Sequence, residues 1–145
     1  MPKPKMPPGT ADDTEAAFYE ALQQADLERL MACWADEDEI VCVHPGGARL
    51  VGHAAVRHAF EAIFANGGVM AHPERVRRLE TAHCSIHSVI ERVAVMGDDG
   101  IRIAWVPATN VYVKTAHGWR MVAHHASPGS PDEPVEAARS GPLLH

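Results

Sequence analysis

The pattern of apolar and polar positions divides the chain into helical repeats first and strand-like stretches afterwards. Phe18, Leu22 and Ala25 recur at i, i+4 and i+7, with Ala17 and Ala21 widening the stripe. This predicts a first helix that starts near Asp12, with Asp12 and Glu15 spaced as in a capping box. Asp26 reads as the cap of a second helix, carried by Leu27, Leu30, Met31 and Trp34 and ended by the acidic run 36–39. Residues 40–44 form a short strand stopped by Pro45, and Leu50 with Val51 suits a short return strand. A third helix follows Gly52, with Val56, Ala59, Phe60, Ile63 and Phe64 on one face and Asn66-Gly67-Gly68 closing it.

From Arg75 onward the pattern turns to strand. Residues 75–96 fit either one long bent strand or two strands broken near 80–83. Gly97-Asp98-Asp99-Gly100 is a hairpin turn, and two long arms, 101–114 and 119–127, are joined through Gly118. The arms are rich in Val, Ile, Tyr, Trp and Thr, as strands are. Helices first and antiparallel strands second predict an α+β domain with helices on one face of a curved sheet.

Composition sharpens this picture. At 145 residues the chain is one domain. Pro- and Lys-rich residues 1–10 and Pro-rich residues 128–145 read as disordered or loosely attached tails around a folded unit at 11–127. Cys33, Cys42 and Cys84 have no metal-type spacing, which predicts reduced thiols and a cytoplasmic protein. Residues 1–9 lack the apolar core of a signal peptide, and no run reaches membrane-spanning length. A net charge of -6 argues against nucleic-acid partners, and a membrane partner is not expected either.

Ten histidines invite a metal test, and their spacing speaks against a site. His83 and His87 on a strand stand about 13 Å apart. His124 and His125 point to opposite faces, and His53 and His58 do not share a helix face. No phosphate loop, dinucleotide glycine fingerprint or nucleophile elbow occurs, so no metal and no cofactor is expected.

Three strings carry a family resemblance: Ala25-Asp26-Leu27 through Trp34, His44-Pro45 followed by Gly52-His-Ala-Ala-Val-Arg57, and Gly118-Trp119 through His124-His125-Ala126-Ser127. Over about residues 12–127 the chain resembles the SnoaL-like, ketosteroid-isomerase-like superfamily, which includes nuclear transport factor two. The resemblance implies a cone-shaped barrel, a strongly bent, mostly antiparallel sheet wrapped around three N-terminal helices. It also implies where a site would lie. The isomerases' catalytic base falls on His44, their acidic oxyanion donor on Asn110, and their oxyanion tyrosine, counted back from Asp26, on Phe18. Phe18 offers no phenol and Asn110 is a weaker donor than a protonated acid, so a steroid isomerase as such is not expected.

Alternation then places Tyr112 inward with Asn110, and the family pattern places Ala123, His125 and Ser127 inward on the closing strand. Trp34, the last residue of a clean helical stripe, reads first as core and is also a candidate for the wall. Two functions stay open. One is an isomerase, dehydratase or hydrolase in which His44 is the base and Asn110 holds a substrate group, with Phe18, Trp34, Tyr112 and His125 lining the pocket for a small, largely apolar ligand. The other is a non-catalytic binding or assembly module. The resemblance also implies a homodimer through the outer sheet face, at Val111, Val113 and Val122.

Overall fold

Thr10 opens the first helix. Its side chain accepts from the Asp13 backbone N–H at 3.1 Å, so helix α1 runs Ala11–Gln24. The predicted Asp12–Glu15 cap is corrected by this geometry: Asp12 accepts from Arg78 Nε at 2.8 Å, and Glu15 turns into the core. The computed structural model describes residues 9–136. Within them the chain forms α1, α2 (Leu27–Met31), β1 (Val41–Val43), β2 (Arg49–Val51), α3 (His53–Phe64), β3 (Met70–Glu80), β4 (Cys84–Gly97), β5 (Gly100–Thr115) and β6 (Gly118–Ala126). The expectations for residues 1–8 and 137–145 lie outside the described residues.

Asp26 caps α2 through the Arg29 N–H at 3.2 Å, as its position predicts. The helix is shorter than its apolar repeat suggests. Cys33 and Ala35 exchange backbone bonds with Met121 instead, so the chain leaves the helix to pair with the sheet before Trp34. The two-strand reading of residues 75–96 holds. Thr81 turns the chain, its N–H donating to the Cys84 carbonyl at 2.7 Å, and β3 and β4 then pair antiparallel.

The sheet order is β2-β1-β6-β5-β4-β3, with β1 and β6 parallel and every other pair antiparallel. It curls around the helices as the predicted cone, but β2 and β3 are unpaired edges, so the barrel is not closed. The helices and the inner sheet face share a core built on Phe18, Leu30, Ile40, Phe60, Tyr112 and Met121, all nearly inaccessible. A second cluster, Val89, Val106, Ala108 and Ala126, continues that face toward the far end.

Two details decide which side chains face inward. Val111 pairs with Ala123 but Tyr112 pairs with Met121, so Val122 is an extra, bulged residue on β6. It packs against the core, whereas Val111 and Val113 take the outer face as expected. The register also aligns Leu79, Ile86, Val111, Ala123, Val41 and Val51, one from each strand, as a continuous apolar row on the outer face. Past β6, Ser130 exchanges two backbone bonds with Trp105, at 2.8 and 3.0 Å, and Arg75 pairs with Glu133.

Candidate functional site

Between α1, α3 and the inner sheet lies a cavity of about 220 Å³. Phe18, Leu22, Phe60 and Ile63 give it an apolar helical wall, and Val93, Val106 and Ala126 an apolar floor. Three titratable side chains open on it: His44, Glu91 and His124.

His44 follows β1, where the turn at Pro45 ends the strand, and its backbone carbonyl accepts from Gly47 N–H at 2.8 Å. Its ring stands nearly perpendicular to that of Phe60, centroids 4.9 Å apart, and Nε2 lies 3.7 Å from Cys42 Sγ. Burial lowers its pKa below the ordinary histidine value, which favours the neutral base. Burial raises the Cys42 thiol to about 12, so it stays protonated.

Glu91 points inward because Ser85, His87, Val89 and Glu91 alternate toward the helices on β4. Burial pushes its carboxyl up to about 7, against the opposing pull of the Tyr19 hydroxyl, and the Glu15 charge adds to the rise. Tyr19 donates to Glu91 Oε2 at 2.6 Å. His124 is almost fully buried, and burial, reinforced by His44 and His125, lowers its pKa to about 3. The rings of His44 and His124 lie 6.4 Å apart.

A buried polar chain stands behind this wall. Asn110 Oδ1 lies 2.5 Å from His124 Nδ1. Asn110 Nδ2 donates to Tyr19 Oη at 3.0 Å and to Glu15 Oε2 at 3.1 Å. Tyr112 donates to the same Glu15 oxygen at 2.8 Å. His87 Nδ1 lies 3.1 Å from Glu15 Oε1, but off the line of a hydrogen bond, and His87 Nε2 meets Ser85 Oγ at 3.0 Å.

Of the residues singled out from the sequence, His44 and Phe18 line the cavity. Asn110 faces inward but sits one layer back, touching the cavity only through His124. Tyr112 also faces inward and is wholly buried against Glu15 and His87. Trp34 is core, 3 % exposed, beside a separate hollow at Thr115 and His117. His125 corrects the expected parity: it is exposed on the outer face, opposite Thr109, and His124 takes the inward place because the Val122 bulge shifts the alternation by one.

Glu91, His124 and Tyr19 are the residues that the sequence reading passed over. Alternation sets Glu91 on the same face of β4 as Val89, and a phenol stands one residue past Phe18. Among the described residues, Asp12, Glu15 and His87 have ligand atoms within 4.8 Å of one another and form a possible cation-binding set. Arg78 already holds Asp12, and Tyr112 and Asn110 hold Glu15.

Residues 12–131 match the model of the SnoaL-like domain. The chain belongs to the SnoaL-like family. This SnoaL-like chain is similar to a solved structure from Thiobacillus denitrificans, provisionally named a calcium/calmodulin-dependent protein kinase type II association domain. Identity is 38%, the match covers 86% of this chain and 98% of the other, and the TM-score is 0.76. It is also similar to a provisionally named dehydratase of the nuclear transport factor two-like family from Streptomyces avermitilis. There the identity is 30%, the coverage 81% and 92%, and the TM-score 0.73. A cystatin-like fold from Caulobacter vibrioides, 17% identical over 80% and 84% of the two chains with a TM-score of 0.68, shares the fold. No curated protein matches the SnoaL-like chain. No helix among its described residues is long and apolar enough to cross a membrane.

Proposed function

We propose that this SnoaL-like chain is a cofactor-independent enzyme that dehydrates or isomerises a small, largely apolar molecule by moving protons between carbon and oxygen. One observation carries the reading: an imidazole and a carboxyl of displaced pKa, His44 and Glu91, open on the same apolar cavity. His44, neutral at physiological pH, is the base. Glu91, near half-protonated there, is the acid that supplies a proton to the leaving or migrating oxygen. The apolar wall holds the carbon skeleton and keeps water from competing. The similarity to a provisionally named dehydratase supports the same class of chemistry.

The test is turnover of small hydroxy-ketones and unsaturated ketones by the wild-type chain, followed by His44→Gln and Glu91→Gln. Each substitution is expected to lower kcat by about 10²- to 10⁴-fold while the fold is retained. Turnover that survives His44→Gln at the wild-type rate removes the base from the proposal.

A second, compatible reading is self-assembly. The apolar row across the outer sheet face, with Leu79 68% exposed, is a surface that a second copy would cover, and the similarity to an association domain points the same way. We place the chain in the cytoplasm, since Cys33 and Cys42 are buried free thiols that suit a reducing compartment.

A further inference from the structure

Among the polar atoms of the cavity wall that have no hydrogen-bond partner among the described residues is Nε2 of His124. What that atom offers a ligand follows from the direction of every bond behind it. Glu15 Oε2 accepts, from the Tyr112 hydroxyl at 2.8 Å and from Asn110 Nδ2 at 3.1 Å. Tyr19 donates its single hydrogen to Glu91 at 2.6 Å and therefore accepts from Asn110 Nδ2 at 3.0 Å. Both hydrogens of the Asn110 amide are then engaged, and the amide cannot be reversed without setting its oxygen against the Glu15 carboxylate. Its Oδ1 faces His124 Nδ1 at 2.5 Å. A carbonyl oxygen only accepts, so Nδ1 carries the hydrogen. A neutral imidazole has one such hydrogen, and Nε2 is left as a bare lone pair.

We propose that His124, locked in its Nδ1–H tautomer by Asn110, is the fixed hydrogen-bond acceptor of the cavity, and that the molecule it takes carries a hydroxyl group. The proposal deepens the enzymatic reading and rests on it for the step below. His124 Nε2 and Glu91 Oε2 are 4.0 Å apart, too far to bond directly. An alcohol oxygen placed between these groups donates its hydrogen to Nε2 and accepts the acid hydrogen of Glu91. That hydrogen sits on Oε1, because Oε2 already accepts from Tyr19. A ketone oxygen has nothing to give Nε2 and leaves one acceptor facing another, which costs binding.

Of the two reactions proposed above, this favours dehydration of an alcohol whose neighbouring C–H is acidified by a carbonyl or ring of the substrate itself. His44 takes that proton, and the C–H electron pair becomes the new π bond. The C–O bond breaks with its electrons on oxygen, and that oxygen receives the Glu91 proton and leaves as water. The original hydroxyl hydrogen stays directed at His124 throughout. The His44 imidazolium returns its proton to the Glu91 carboxylate through the released water, which closes the cycle.

The test uses the full wild-type chain and needs no turnover. Long-range ¹H–¹⁵N correlation of the labelled protein is expected to show His124 with a pyrrole-type Nδ1 and a pyridine-type Nε2 at neutral pH. Titration with cyclohexanol is expected to move the Nε2 resonance, and cyclohexanone to bind about tenfold more weakly. The proposal is overturned if the hydrogen is on Nε2, if cyclohexanol leaves that resonance unmoved, or if the ketone binds as tightly as the alcohol. If the tautomer and the alcohol preference appear and His44→Gln has no effect on turnover, the enzymatic reading fails and the hydroxyl-binding site stands.

Discussion

Glu91 is the residue whose charge state folding changes in a directly measurable way. Its carboxyl titrates near 4.5 when exposed and at about 7 in the fold, so the folded chain holds an extra proton between those values. The stability this gives is fully present below about pH 4.5 and is lost as pH rises through 7, an effect of about 3 kcal/mol. His124 runs the other way. Its imidazole titrates at 6.5 when free and at about 3 in the fold, so its contribution is present above 6.5 and is lost as pH falls toward 3. The two opposed slopes partly cancel near pH 5–6. Glu91→Gln keeps the neutral shape and removes one slope. Relative to wild type, the variant should gain about 3 kcal/mol between roughly pH 4 and pH 8, read from urea midpoints. An unchanged difference across that range would return Glu91 to an ordinary carboxyl. At this scale the sequence was half-readable. His44 and Phe18 stood out through the family resemblance, which sets a catalytic base before Pro45 at a strand end and counts an oxyanion residue back from Asp26 to Phe18. Glu91 did not, because a glutamate between Ile90 and Arg92 looks like the polar side of an alternating strand until its partner Tyr19 is located.

Elements are placed by contacts that local patterns reveal unevenly. The strands and the Asp26 cap were legible, because alternation and capping are properties of adjacent residues. The end of α2 was not, because it is decided by Met121, nearly ninety residues further on. Nor was the Val122 bulge, which exists only relative to β5, and it alone exchanged His124 for His125 at the inner face. The joint between α1 and the start of β3 is equally non-local. Val69 N–H donates to the Leu22 carbonyl at 2.9 Å, Gln23 Nε2 donates to the Ala71 carbonyl at 2.7 Å, and Gly68 is pressed against the end of α1. A Cβ on Gly68 would overlap the Gln23 carbonyl oxygen, a backbone atom that cannot swing aside. Gly68→Ala should therefore cost about 2–3 kcal/mol or more, measured by denaturant unfolding. A cost under about 1 kcal/mol would show that the joint opens easily.

The whole molecule is a curled sheet with a filled concave side and an apolar row on its convex side. The cone was legible because three strings of the sequence resemble the family in order and spacing, whereas the open edges at β2 and β3 became visible only in the pairing. The outer row belongs to this scale, since its six residues come from six strands. In the dimer we propose, placing Lys at both Ile86 and Val111 buries two charges per protomer against apolar partners. Light scattering should find wild type dimeric and the double variant monomeric. A dimer that survives both substitutions would place the interface on another surface.

The parallel pairing of β1 with β6 has a consequence for how the protein comes into being. Val43 is joined to His125, roughly eighty residues later in the chain, so the strand that leads into His44 is made early and waits for a partner made last. Both helical walls, His44 and Glu91 are synthesised before β6 exists. Every other lining residue of the cavity precedes His124 and Ala126 in the chain, so the wall is complete only when these two are made. A chain that stops before His124 therefore lacks the last pieces of the cavity wall, whatever the rest of it has folded into.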